Sequence, residues 1–189
     1  YPQHASFLYQ AQAEILRKMN NKKAALSLLN EAVKNLPDDP ELLYSQVLLL
    51  DPYQDKELLD HALKQLLEIE PNNPTYLNAY AYTLALQNRR LSEARKYAEK
   101  ALEMTPDQAS ILDTLGYIAF LQNDFKTAIS SLTQAYQMSH SFNIGLRLAK
   151  ALYMQGDLEE FNVALQQLKQ NQPNNPQLEQ LDSLLLPQH

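Results

Sequence analysis

Cysteine is absent from this sequence, which excludes thiol catalysis, zinc–thiolate sites and any disulfide framework. Glycine is scarce, at 3 of 189 residues, so positive-φ residues for phosphate-binding loops or tight hairpins are in short supply. Neither GxxxxGK(S/T) nor GxGxxG occurs, and nucleotide cradling has no visible loop. Positive charge is short as well: 16 Lys and Arg face 22 Asp and Glu, for a formal net charge of −6 and a pI near 5.2. A nucleic-acid binder carries a basic stripe to meet the phosphates, and none is visible, so no nucleic-acid partner is expected. Apolar runs such as residues 47–50 fall far short of the ~20 residues that a spanning helix needs. Tyr1 is not an initiator Met, and no charged-then-apolar leader follows it. The chain is therefore expected to be a processed or truncated product, with any targeting signal or membrane anchor outside it.

What is present is an ordinary globular composition, 45% hydrophobic and 20% charged, arranged with a period. Length predicts one compact domain, and the scarcity of glycine points to long helices as its building block. Pro37, Pro71 and Pro106 each end a segment of helical apolar periodicity, at spacings of 34 and 35 residues. Pro173 lies 67 residues further on, two periods with the middle proline missing near His140. The company is similar each time: Leu36-Pro-Asp-Asp39, Glu70-Pro-Asn-Asn73, Thr105-Pro-Asp-Gln108 and Gln172-Pro-Asn-Asn175. Ahead of Pro37, of Pro106 and of the missing proline near His140, Ala25, Leu29 and Ala32, then Ala94, Ala98 and Ala101, then Ala128, Leu132 and Ala135 each share one helical face. Small side chains on such a face let a neighbouring helix approach closely. An earlier helix in the units repeats the logic with Leu77, Tyr80, Ala81 and Leu84, then with Leu112, Leu115, Gly116 and Ala119.

These features resemble the tetratricopeptide (TPR) repeat, a helix–turn–helix unit of about 34 residues. The resemblance implies an all-α, right-handed superhelical α-solenoid of about five repeats, at residues 6–39, 40–73, 74–108, 109–141 and 142–175. Leu178, Leu181 and Leu185 stand at helical spacing, which predicts a capping helix over residues 176–186 that covers the apolar edge of the last repeat. Two units depart from the pattern. Leu59 and Leu66 occupy small-residue places in the second, whose intrarepeat turn holds Pro52, so its helices should pack wider or at an altered angle. In the fifth, Phe161 replaces a small residue and Gly145 a large one, a swap expected to conserve volume across their contact.

In TPR arrays the first helices line a concave groove, the second helices form the convex back, and the groove takes an extended or helical segment of a partner protein. Helical geometry sends Gln10, Glu14 and Arg17, and also Leu48, toward that side. The candidate partner-binding set is Tyr44, Asn78, Tyr82, Asp113, Tyr117, Phe120, Arg147, Lys150 and Tyr153. It forms an aromatic strip flanked by Asn78 and Asp113 and ending in a basic pair. Tyrosine offers large contact area at low entropy cost and a polar tip, which suits peptide recognition. The competing reading makes these tyrosines core anchors and these charges solvated surface. Arg147 and Lys150, one turn apart, would meet a single carboxylate of the partner. The two-carboxylate clamp of chaperone-binding TPR domains has no counterpart, because Gln10, Glu14 and Ser45 stand in its places.

Catalytic constellations are missing. His4, His61, His140 and His189 are far apart and form no HxxxH or HExxH pair. Asp38–Asp39 and Glu159–Glu160 fall at turns or helix starts, where acids favour the helix dipole. No cofactor or metal is expected. A sharper resemblance covers the later repeats. Asn78-Ala-Tyr-Ala-Tyr-Thr-Leu-Ala85, Leu91-Ser-Glu-Ala-Arg95, Lys100-Ala-Leu102 and Ile111-Leu-Asp-Thr-Leu-Gly-Tyr117 resemble the C-terminal repeats of large TPR lipoproteins of Gram-negative outer membranes. Some of that group are adaptors that bind a periplasmic C-terminal processing protease and bring it to substrates. The resemblance implies a non-catalytic adaptor at the periplasmic face, with membrane anchoring only through sequence outside this chain; a cytoplasmic location is the other option. A self-assembly module that stacks through its terminal repeats is the alternative function, and an enzyme the third.

Overall fold

The computed structural model describes the backbone of residues 2–184 and the side chains of residues 5–184. Leu185 of the expected capping stripe, Tyr1, His189 and the side chain of His4 lie outside the described residues. Among the described residues there are eleven α-helices and no strand: α1 (Pro2–Lys18), α2 (Lys22–Asn35), α3 (Pro40–Val47), α4 (Lys56–Ile69), α5 (Pro74–Leu86), α6 (Leu91–Met104), α7 (Ala109–Leu121), α8 (Phe125–Ser139), α9 (Phe142–Gln155), α10 (Leu158–Asn171) and α11 (Gln177–Leu184). The first ten pack as five consecutive hairpins, each against the next, and α11 lies on α10. First helices also touch first helices directly, α1 with α3, α5 with α7 and α7 with α9. That row is the inner side of the curve, and the array is an α-solenoid.

Recurrent polar residues set the helix boundaries. Asp39 accepts the Leu42 N–H ahead of Pro40, and Asn73 accepts those of Thr75 and Tyr76 ahead of Pro74. Proline at the first helical position loses nothing, since its missing N–H would have been an orphan. The Pro-Asx-Asx run thus stops one helix and caps the next. Where the proline is missing, His140 takes a left-handed conformation (φ 49°) and donates its N–H to Tyr136 O, which ends α8. Within hairpins the sharp turn falls on Asn20, Asn88, Asn123 and Gly156, all at positive φ. Asn tolerates that region better than other side-chain-bearing residues.

The small-residue stripes are fully buried: Ala25, Leu29 and Ala32 of α2, Ala94, Ala98 and Ala101 of α6, and Ala128, Leu132 and Ala135 of α8. Leu132 lies over Gly116, where an added Cβ would sit 2.6 Å from Leu132 Cγ and 3.3 Å from Ala128 O. The fifth hairpin compensates differently from the expectation. A Cβ on Gly145 would meet Leu168 at 2.7 Å and Tyr136 at 3.0 Å, so these residues fill its space. Phe161 packs instead on Tyr153, with ring centroids 5.5 Å apart. Leu178 and Leu181 of α11 are buried on the last hairpin, and Lys169 Nζ meets Asp182 Oδ1 at 2.6 Å.

One polar cluster joins α4, α5 and α6. Fully buried Tyr80 donates its hydroxyl to Asp60 Oδ1 at 2.7 Å, Lys64 reaches Asp60 Oδ2 at 2.8 Å, and Arg90 bonds both Asp60 and the Tyr80 oxygen. Burial pushes the Asp60 carboxyl up, but the bonds from Lys64, Tyr80 and Arg90 outweigh it and hold the group at about 2, below its ordinary 3.8.

Two predictions follow from these contacts. Gly116→Ala gains about 1 kcal/mol of helix propensity but overpacks Leu132 at a cost of roughly 1–3 kcal/mol. The expected net is a loss on the order of 1 kcal/mol in urea unfolding. For Asp60 the folded-state carboxyl is the more acidic, so its contribution is complete above the unfolded value and is lost as pH falls toward about 2. Asp60→Asn therefore lowers stability by about 2 kcal/mol at neutral pH, and the gap between the two proteins narrows between pH 4 and about 2. A gap independent of pH in that window would exclude the ionised carboxylate as its source.

Candidate concave binding site

The row of first helices has a notch. Pro52 disfavours helical geometry at Asp51, whose carboxylate instead caps the N–H groups of Tyr53 and Gln54 at 2.8 and 2.9 Å. Helix α3 ends at Val47 in consequence, with only 8 residues. Between it and α5 lies a cavity of about 440 Å³ lined by Tyr44, Leu48, Leu59, Pro74, Asn78 and Tyr82, among others. Leu48 stands 66% exposed at its lip. Tyr44 packs against Tyr76 in a tilted arrangement with centroids 5.2 Å apart, and burial pushes its hydroxyl above the ordinary range. Leu48 also borders a second recess of about 540 Å³ under α1, with Phe7, Gln10, Glu14, Arg17 and Ser45. There Glu14 and Arg17 are joined by two bonds of 2.7 and 2.8 Å, which leaves that charge internally balanced.

The next stretch of the concave face is closed by side-chain contacts. Arg147 of α9 pairs with Asp113 of α7 through Nη1, and its Nη2 donates to Tyr82 Oη of α5 at 2.9 Å. Its guanidinium lies 4.7 Å from the Tyr117 ring centroid and 5.6 Å from that of Tyr82, within cation–π range. The two tyrosine rings are 6.4 Å apart. Burial pulls the Arg147 guanidinium down, but the bonds to Asp113 and Tyr82 prevail and hold it above its usual value. Asp113 Oδ1 and Asn78 Oδ1 are buried and accept no hydrogen bond among the described residues. One side chain therefore ties three successive first helices together.

Of the nine expected groove residues, Tyr44, Asn78 and Tyr82 line the notch, and Tyr82, Asp113, Tyr117 and Arg147 form the latch. Lys150 makes no ion pair with a described residue, so the expected basic pair is split: Arg147 is engaged and Lys150 is not. Phe120 packs on Phe125 at 5.9 Å, and Tyr153 donates to Leu184 O of the capping helix at 3.0 Å. Both sit with the last hairpins rather than in the strip. The Asp113–Arg147 pairing had a sequence signal, opposite charges one repeat period apart on first helices. Among the described residues no group of three His, Asp or Glu is arranged to hold a metal ion, and no helix is long and apolar enough to cross a membrane.

Profiles of the tetratricopeptide repeat match residues 60–109, 83–143 and 119–185. The chain belongs to the tetratricopeptide repeat family. It is 32% identical over 149 residues to the TPR repeat-containing protein PA4667 of Pseudomonas aeruginosa, a match that covers 79% of this chain and 25% of that protein. The chain thus spans about a quarter of that relative's length. Among solved structures, Pseudomonas aeruginosa PilF superposes with a TM-score of 0.79 at 17% identity, covering 95% of this chain and 82% of that one. The thermophilic TPR protein TTC0263 of Thermus thermophilus gives 0.74 at 22% identity, over 99% and 100%. At these identities the two structures establish the fold.

The latch has a measurable consequence. Side chains of Arg147 and Asp113 are only 22% and 15% exposed, and truncating one partner of a buried pair leaves the other charge uncompensated. Arg147→Met is expected to cost about 3 kcal/mol in chemical unfolding, while adding Asp113→Asn to it restores most of the loss. A double variant as unstable as the single one would show that packing, not charge, holds the three helices.

Proposed function

We propose that this chain is a non-catalytic protein-binding scaffold whose concave face takes an extended or helical segment of a partner protein. The observation that carries this reading is the open notch beside α3: an apolar floor, tyrosine walls from Tyr44 and Tyr82, and Leu48 exposed at the lip. Large aromatic surfaces in a preformed recess bind at low entropy cost. Tyr117, Asp113 and Arg147 extend the wall, and Lys150 offers a single cation to an acidic residue of the segment. Phe120 and Tyr153 support the last hairpins behind it. At finer grain, we propose the role of an adaptor for a periplasmic C-terminal processing protease. The resemblance of residues 78–117 to outer-membrane TPR lipoproteins supports it.

Leu48→Glu tests the site with little effect on the core, because that side chain is already solvated. Partner capture from the native envelope fraction is expected to fall at least about tenfold, the effect of one desolvated charge in an apolar recess, with helicity by circular dichroism unchanged. Full capture by the variant would move the site to the convex face or the ends. A pull-down that returns another protein through the same notch, and never the protease, would keep the scaffold and end the adaptor role.

A further inference from the structure

Among the described residues α1 is the first helix with no second helix packed ahead of it. Ala13, Val47, Ala81, Gly116 and Ala149, all buried, align the five first helices. In that register Leu8 corresponds to Leu42, Tyr76, Ile111 and Ile144, each at most 7% exposed, whereas Leu8 is 58% exposed. Ile15 corresponds to Leu49, Thr83, Ile118 and Ala151; Leu49, Ile118 and Ala151 are buried, and Ile15 is 58% exposed. The buried members sit on the small-residue stripe of the preceding helix. Leu42 and Leu49 cluster with Ala25, Leu29 and Ala32, Ile111 with Ala101, Ile118 with Ala94 and Ala98, and Ile144 with Ala128, Leu132 and Ala135. At the α2–α3 interface a polar contact accompanies the apolar ones. Gln46, 5% exposed, donates from Nε2 to Asn30 Oδ1 of α2 at 2.7 Å, and its counterpart on α1, Gln12, is exposed.

We propose that the uncovered face of α1 (Leu8, Gln12 and Ile15) receives an α2-type helix, supplied by a further helix pair of the same solenoid stacked ahead of it. The occupant is amphipathic, carries small residues such as Ala at i and i+7 with Leu or Ala at i+4, and places a carboxamide oxygen where Asn30 stands on α2. Continuity with the α2–α3 interface argues for this chemistry, because the same three side-chain positions are satisfied there. A second copy of the chain fits less well. Two α1 faces brought together would oppose Leu8 and Ile15 to each other without the small stripe that permits close approach. Head-to-tail stacking fails at the other end, where Gln177, Glu179, Gln180 and Ser183 of α11 are exposed and polar. Relatives have chain to spare for such a pair, since the match spans 25% of PA4667.

The test is a fusion that places a copy of residues 6–39 directly ahead of residue 6, so that the copied α2 lies against α1. Amide exchange in α1 is expected to slow at least about tenfold relative to the parent chain, and the melting temperature to rise. Leu8→Asp with Ile15→Asp in the original α1 should abolish both gains while leaving the unfused parent as stable as before. Asn30→Leu in the copy alone should remove part of them. Unchanged α1 exchange in the fusion overturns the proposal. So does a parent chain that sediments as a dimer and becomes a monomer on Leu8→Asp, which would make a second copy the occupant.

Discussion

How closely one helix can approach the next governs this molecule. Alanine at two of three stripe positions in α2 and α8, and at all three in α6, brings first helices down onto the helix ahead of them. The apolar surface buried in that approach is the main favourable term available to a chain without disulfides or a central core. Each hairpin buries its face against neighbours only, so stability is distributed along the array. The polar clusters have a different part. Asp60, Tyr80 and Arg90, and Asp113, Tyr82 and Arg147, each span elements that the stripes have already brought together, and they fix angle and spacing more than they drive association.

The concave site arises where the stripe rule is relaxed. In α4 the stripe positions hold Leu59 and Leu66, and its partner α3 stops early because Pro52 and the Asp51 turn bar a further helical turn. A shorter inner helix opposite a bulkier outer one leaves space on the inner side, and that space is the notch. The recess therefore comes from backbone length and side-chain volume together, which makes it preformed rather than induced.

The period, the stripes and the Pro-Asx-Asx punctuation made the solenoid legible in the sequence because each reflects a local backbone requirement: a stop, a cap, or a close approach. The capping helix was legible to the same extent through Leu178 and Leu181. Long-range side-chain choices were less visible. Gly145 looked paired with Phe161 because both break the pattern in one unit, yet Leu168 and Tyr136 fill its space; sequence spacing gives the face of a helix but not which neighbour reaches it. Arg147 looked free for a partner carboxylate because its acid, Asp113, stands one full repeat away. In a solenoid such a separation is adjacency, so opposite charges at repeat spacing should be read as paired with each other first. Tyr153 and Phe120 lie on the expected helices, but their contacts run to the capping helix and to Phe125.

The latch and the notch divide the groove by rigidity as well as by chemistry. From α5 to α9 the inner row is tied by an ion pair, a hydrogen bond and two cation–π contacts, all centred on one arginine that loses charge compensation if it moves. A segment bound there has to be met by surfaces already in place. From α1 to α5 no such tie is present among the described residues, α3 is short, and Leu48 stands exposed beside the internally balanced Glu14–Arg17 pair. In the binding mode proposed above, affinity from apolar burial would come from the α1–α5 half, and the α5–α9 half would supply a fixed wall that sets the segment's direction and register. A partner is expected to lead with a large apolar residue into the notch, and its polar part to run toward Lys150.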